Sequence, residues 1–195
     1  MQLSQHINRK TTQNIYRAFD FAKASGLPMN TYVVINLVDR TDKSSNTVFR
    51  GIMARYRRWL RYKYRQSPNP ALLPIWTYSH ENPNNANPHV NLVLHVPANL
   101  FEEFERKLRN WVFKEQGTGS FDVSVQRITP GTDKNVANYI NKGVDPDYAE
   151  HFFLDAIASP QGDIFGRRAG VSRAINKEKR DRVNYNCRTR NIPSV

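Results

Sequence analysis

The sequence is poorest in cysteine. Cys187 is the single one in 195 residues, so neither an intramolecular disulfide framework nor a cysteine-based zinc site can form within the chain. Long apolar runs are missing as well. None approaches the ~20 residues that crossing a bilayer requires, and the opening residues, MQLSQHINRKTTQN, hold no apolar stretch of the secretory kind. The expected surroundings are therefore the cytoplasm, with no membrane partner. No G-x-x-x-x-G-K-S/T phosphate loop occurs, which excludes a P-loop motor in this chain. No internal repeat or low-complexity stretch is visible. Acidic residues are scarce: 17 Asp and Glu face 29 Lys and Arg, leaving a net charge of +12.

That imbalance is local. Between Lys43 and His80 there is no acidic residue, while Arg50, Arg55, Arg57, Arg58, Arg61, Lys63 and Arg65 crowd together. A second cluster runs from Arg167 and Arg168 through Arg173 and Lys177 to Arg190, opposed by only Glu178 and Asp181. Two like-signed clusters point to a polyanion, because each phosphate neutralised releases condensed counterions. Hydrophobic residues make up 39% of the chain, sufficient for one core. Three stretches are expected: an N-terminal helical segment over 1–28, a core over 29–143, and a helical, basic extension of the same domain over 144–195.

Hydrophobic periodicity predicts a helix over 11–25 with Ile15, Phe19 and Ala22 on one face, closed by Gly26 and Pro28. TYVVINLV (31–38) reads as a buried strand and is followed by the polar loop DRTDKSSN. Residues 47–65 read as a helix with Val48, Ile52, Trp59 and Tyr62 turned inward. LLPIWTYSH (72–80) reads as a strand, ENPNNANP as turn, and HVNLVLHVP (89–97) as the clearest strand of all. ANLFEEFERKLRNWVFKE is an amphipathic helix, FDVSVQRI (121–128) a strand, and NVANYINKG (135–143) a short helix closed by Gly143. The central order, β-α-β-β-α-β, predicts an α+β fold of ferredoxin/RRM-like type, an antiparallel sheet with helices on one face.

Chemistry gathers in the second half of that order. In HVNLVLHVP alternate side chains share a face, so His89 and Asn91 lie together about 7 Å apart. Glu81, eight residues before His89, returns alongside it if the two strands form a hairpin. An imidazole, an amide oxygen and a carboxylate make a mixed set suited to Mg²⁺ or Mn²⁺. A histidine on a strand is more often a satisfied structural residue, and a glutamate there can simply cap a turn. His80 faces the opposite way, and His95 sits at the far end of its strand. Tyr139 and Lys142, three residues apart in VANYINKG, share one helix face. A free phenol with pKa ~10 is a weak nucleophile at neutral pH, and an ammonium or a metal beside it favours the phenolate. The plain alternative is a core tyrosine beside a surface lysine.

Together these segments resemble the HUH endonuclease superfamily. ENPNNANPHVNLVLHVP is similar to its second motif, a glutamate and a His-hydrophobic-His pair that bind metal. VANYINKG is similar to its third, a tyrosine followed by lysine, and TYVVINL holds the place of the first. GRRAGVSRAI (166–175) resembles a further segment of phage and plasmid members, and the likeness spans about residues 30–175. The order and spacing resemble the single-tyrosine replication initiators. The resemblance implies nicking and rejoining of single-stranded DNA by Tyr139 through a 5′-phosphotyrosyl intermediate, with Lys142 assisting. It implies one Mg²⁺ or Mn²⁺ on Glu81, His89 and Asn91, single-stranded DNA and an origin hairpin as substrates, and a host helicase as partner. Asn91 stands where the family has its second histidine. Arg55, Arg58, Arg61, Arg167, Arg168 and Arg173 are the expected DNA contacts. Two rivals remain: an RRM-like module gripping single strands on Tyr32, Trp76 or Tyr78, and a tyrosine transposase or relaxase, although relaxases carry three histidine ligands.

Overall fold

A computed structural model describes residues 2–38, 44–117 and 122–188. Most of the expected loop after Val38, the Phe121 that opens the expected strand over 121–128, and Arg190 lie outside the described residues. The elements are β1 (Leu3–Ser4), α1 (Arg9–Ala24), β2 (Thr31–Asn36), α2 (Ser45–Gln66), β3 (Trp76–Glu81), β4 (His89–Leu94), α3 (Phe101–Gln116), β5 (Val123–Arg127), α4 (Asp133–Ile140), β6 (Ile164–Phe165), β7 (Ala169–Val171) and α5 (Lys177–Arg182). The fold is α+β. Five strands in the order β5-β2-β4-β3-β7 form one sheet, and every pairing in it is antiparallel. Four of them, β2 to β5, follow with α2 and α3 the β-α-β-β-α-β order expected from the sequence.

The helix limits follow local chemistry. Asn8 caps α1, its side chain accepting from the Thr11 amide at 2.9 Å, and Gly26 follows at φ +72° where a side chain would be strained. The strand expected from residue 72 begins only at Trp76. Asn69 caps a 3₁₀ turn over Pro70–Leu72, because proline has no amide hydrogen for a sheet ladder. At the other end of the site, α4 is not closed by Gly143. Its cap is Asn141, whose Nδ2 donates to the Ala137 carbonyl at 2.9 Å.

Strand alternation divides the sheet into two apolar faces. Val33, Ile35, Val90, Leu92 and Leu94 meet Ile52, Tyr56 and Trp59 of α2 and Phe104, Leu108 and Trp111 of α3. Val93, on the reverse face, is covered by Ile15 and Phe19 of α1 and Ala137 and Ile140 of α4. Helices thus pack on both faces, where the element order alone suggested one. The reason lies in α1: its Ile15, Phe19 and Ala22 stripe must be buried, and the reverse face around Val93 offers the apolar ground. The N-terminal helix therefore belongs to the sheet's own packing. The fifth strand, β7, was not legible in the basic extension, since three residues are too few to carry a period.

Candidate active site

The β3–β4 hairpin sets the floor of the site. Its register places Glu81 opposite His89 and Ser79 opposite Asn91, and directly opposed residues share a face. That face is the one beneath α4. Tyr32, from β2, stands one step along beside Val93 on the same side. The loop between the hairpin strands is drawn inward by Asn82, whose amide donates to the Gln161 carbonyl at 2.8 Å, and by Asn85, which accepts from the Asp163 amide at 2.7 Å.

Above this floor, α1 fixes α4. Tyr16 donates its hydroxyl hydrogen to Asn138 Oδ1 at 2.8 Å, and Lys23 reaches Asp133 at 3.3 Å. Residue 139 is thereby held over the hairpin mouth. Four side chains then form an unbroken line. Lys142 Nζ donates to Tyr139 Oη at 3.0 Å and to Glu81 Oε2 at 2.9 Å, and the same carboxylate oxygen lies 2.9 Å from His89 Nε2. Glu81 is buried to 2% exposure, whereas Tyr139 remains 45% exposed. The nucleophile candidate thus faces solvent while its charged partners lie beneath it.

The electrostatics are those of a buried anion shared by cations. Burial alone opposes charge on His89, yet the hydrogen bonds to Glu81 and to the Asn87 carbonyl outweigh it and raise its pKa above 6.5. Lys142 follows the same pattern: burial opposes its charge, and its hydrogen bonds to Glu81 and Tyr139 carry its pKa above 10.5. It is therefore a fixed donor. Tyr32 is held protonated by burial first, then by Tyr139 and Glu81, which raise its pKa. Its hydroxyl donates to Asn91 Oδ1 at 2.5 Å, and its ring meets that of Tyr139 edge-on at 6.2 Å.

Donor chemistry at the hairpin mouth fits a divalent cation. His89 Nδ1 lies 3.0 Å from the Asn87 carbonyl. If it donates there, neutral His89 turns a bare Nε2 lone pair toward a carboxylate oxygen, an arrangement that wants a proton or a metal between them. Glu81 Oε1, Asn91 Nδ2 and Ser79 Oγ, all in buried residues, have no hydrogen-bond partner among the described residues. A half-turn of the Asn91 amide would give Nδ2 to the Tyr32 oxygen and put Oδ1 in the buried, unpartnered position that Nδ2 holds now. No group of three His, Cys, Asp or Glu side chains forms a metal cluster among the described residues, as expected of a set whose third member is an amide. His80 lies on the opposite face against Phe49 and Tyr78, and His95 Nδ1 lies 2.7 Å from the Pro28 carbonyl. Neither reaches the site.

The expected DNA contacts divide. Arg58 and Arg61 are exposed on α2, across the sheet from Tyr139, while Arg55 is tied to Glu115 of α3 at 2.6 Å. Arg167 and Arg173 are exposed and line a cleft of about 730 Å³ with Lys177, Lys179 and Arg182. Arg168 is a correction. It is 3% exposed, and its guanidinium donates to the carbonyls of Ser4, His80, Gln161 and Gly162. A side chain closing four carbonyls is a structural clasp, not a phosphate contact. Arg180 is buried likewise, on Ile175 and Asn14. Of the three aromatics expected as stacking platforms, Tyr78 is buried in the α2 core, Trp76 packs against that core, and Tyr32 is half-buried in the site. The reading of the sequence missed Tyr32 and Ser79 as site residues. Parity in TYVVIN placed Tyr32 on one face, but only the β2–β4 register shows that this is the face of Asn91.

Searches against models of known protein families and against curated proteins give no match for this chain.

Proposed function

We propose that this chain is a divalent-metal-dependent nickase and joining enzyme for single-stranded DNA, of the HUH type, that starts rolling-circle replication. The observation that carries the reading is the line Tyr139–Lys142–Glu81–His89, with contacts of 3.0, 2.9 and 2.9 Å. A phenol, a charged amine, a buried carboxylate and an imidazole in sequence are the parts that nucleophilic attack on a phosphodiester needs. The exposed phenol gives up its proton to solvent, and the Lys142 ammonium stabilises the phenolate that remains. Tyr139 Oη then forms the bond to phosphorus as the bond to the 3′ oxygen breaks. That oxygen leaves as a 3′-hydroxyl after taking a proton, and the phosphate stays on Tyr139 through its 5′ oxygen. Attack by the 3′-hydroxyl on this ester reverses the step and rejoins the strand. Glu81, His89 and Asn91 would hold Mg²⁺ or Mn²⁺, which when bound polarises a non-bridging phosphate oxygen.

The substrate reading rests on charge and exposure. Arg167 and Arg173 offer phosphate contacts beside the sheet edge, and Tyr139 is open to a single strand. An origin hairpin and a host helicase complete the proposal, since the chain has no P-loop of its own. Among the described residues no helix is long and apolar enough to cross a membrane. The test is mass spectrometry after incubation with single-stranded DNA and Mn²⁺, which should find a nucleotide adduct on Tyr139. Tyr139→Phe should abolish both adduct and nicking while binding stays near the parent's, because no charge is lost. An equally active phenylalanine variant ends the assignment.

A further inference from the structure

Within this basic protein one folded segment has the opposite character. Between Lys142 and Arg167 there is no lysine or arginine, while Asp145, Asp147, Glu150 and Asp155 follow one another. The segment is rooted at the candidate site: the Ser159 amide donates to the Lys142 carbonyl at 3.0 Å, closing a loop on that residue. It has its own small core of Val144, Ala149 and Leu154, and Phe152 stacks on Tyr16 of α1. At its tip stands Phe153, 89% exposed and held at φ +57°. An aromatic residue in the left-handed region is strained, and a fully hydrated phenyl ring is unfavourable; both together mark a residue shaped for contact.

The complement to this knob is on the same molecule but on the other side of the sheet. Arg50, Arg57, Arg58, Arg61 and Arg65 are exposed along α2 with Tyr64 among them, and none of these arginines is in an ion pair among the described residues. The knob packs with α1 on one face and α2 lies on the other, so a chain cannot satisfy itself. We infer that the acidic knob of one copy docks on the arginine face of α2 of a second copy, with Phe153 seated beside Tyr64. Single-stranded DNA is the less suitable occupant of the knob, because the segment's four carboxylates and its lack of any lysine or arginine repel a phosphate backbone. The contact is heterologous, joining two different patches, so it propagates head to tail. It is also of the transient class, since a net charge of +12 opposes association until salt screens the long-range repulsion.

The test is sedimentation velocity of the full chain over a concentration series without DNA. The parent should associate reversibly, most strongly at intermediate ionic strength, with less at low and at high salt. Glu150→Lys with Phe153→Asp, altering the knob, and Arg58→Glu with Arg61→Glu, altering α2, should each be monomeric with unchanged thermal midpoints, since all four positions are exposed. Mixing the two variants should restore dimers and nothing larger, because each supplies the one patch that the other lacks. A parent that stays monomeric throughout, a knob variant that associates like the parent, or a mixture that remains monomeric overturns the inference. So does a knob variant whose only defect is weaker binding of a single-stranded oligonucleotide, which would make DNA the occupant.

Discussion

At the residue scale the informative pair is Tyr32 and Asn91. On the proposed reading Asn91 binds the metal through Oδ1, so its amide is half-turned and held by Nδ2 donating to the Tyr32 oxygen across the 2.5 Å contact. Tyr32→Phe should therefore raise the Mn²⁺ concentration needed for half-maximal binding, followed by calorimetry without DNA. The expected size is about tenfold, the scale of contacts that support a ligand. The same change placed on Asn91→His should have little effect, since an imidazole needs no partner at Tyr32. Equal losses in both backgrounds would mean that Tyr32 acts elsewhere. Much of this site was legible in the sequence. Strand alternation paired His89 with Asn91, the turn residues between Glu81 and His89 implied the hairpin, and helical spacing joined Tyr139 to Lys142. What could not be read was which face of which strand looks at which helix, because register is a property of pairing and not of one segment.

At the scale of elements, two arginines adjacent in sequence stand in opposite environments, Arg167 exposed and Arg168 buried. Arg168→Leu leaves the carbonyls of Ser4, His80, Gln161 and Gly162 without their shared donor and loosens β7 from β3. A loss of about 2–4 kcal/mol is expected in urea unfolding, on the scale of buried groups left unsatisfied. Arg167→Leu, at an exposed position, should stay within about 0.5 kcal/mol of the parent; equal losses would refute the clasp. On α2 the same sorting applies to DNA. Arg55 already serves Glu115, so its neutralisation should leave the dependence of binding on salt unchanged. Losing Arg58 or Arg61 should flatten the log–log slope by ~0.7–0.9 per phosphate contact. A parent-like slope in both variants would show that this face does not meet DNA. Charge clusters in the sequence pointed to a polyanion, but only burial in the fold separates the Arg168 clasp from the exposed arginines. The order of elements was readable for the same reason that β7 was not: long periodic segments announce themselves, and a three-residue edge strand does not.

At the scale of the whole molecule, stability should follow pH through its buried histidines. His80 sits within the sheet with its pKa pushed down to about 3, by burial first and then by Arg168 and His89. The folded state keeps it neutral, so its contribution is complete above about 6.5 and is lost as the pH falls toward 3. The limiting slope is about 1.4 kcal/mol per pH unit. Burial lowers the pKa of His95 as well, adding in the same direction. His89 works oppositely: its raised pKa gives stability that is present below 6.5 and lost as the pH climbs through its folded value. Unfolding free energy measured between pH 6.5 and 4 should therefore fall, and His80→Leu should flatten that fall; an unchanged slope would remove His80 as its source. The fold also sets a timetable. Residues 31–127 contain β2 to β5 with α2 and α3, the whole of the first core, and can close while the rest is still being synthesised. Tyr139 emerges next, onto an α1 made long before. Strand β7 and the Arg168 clasp come later still, and they complete the sheet beside β3. A chain interrupted before residue 168 would display Tyr139 over an unfinished floor.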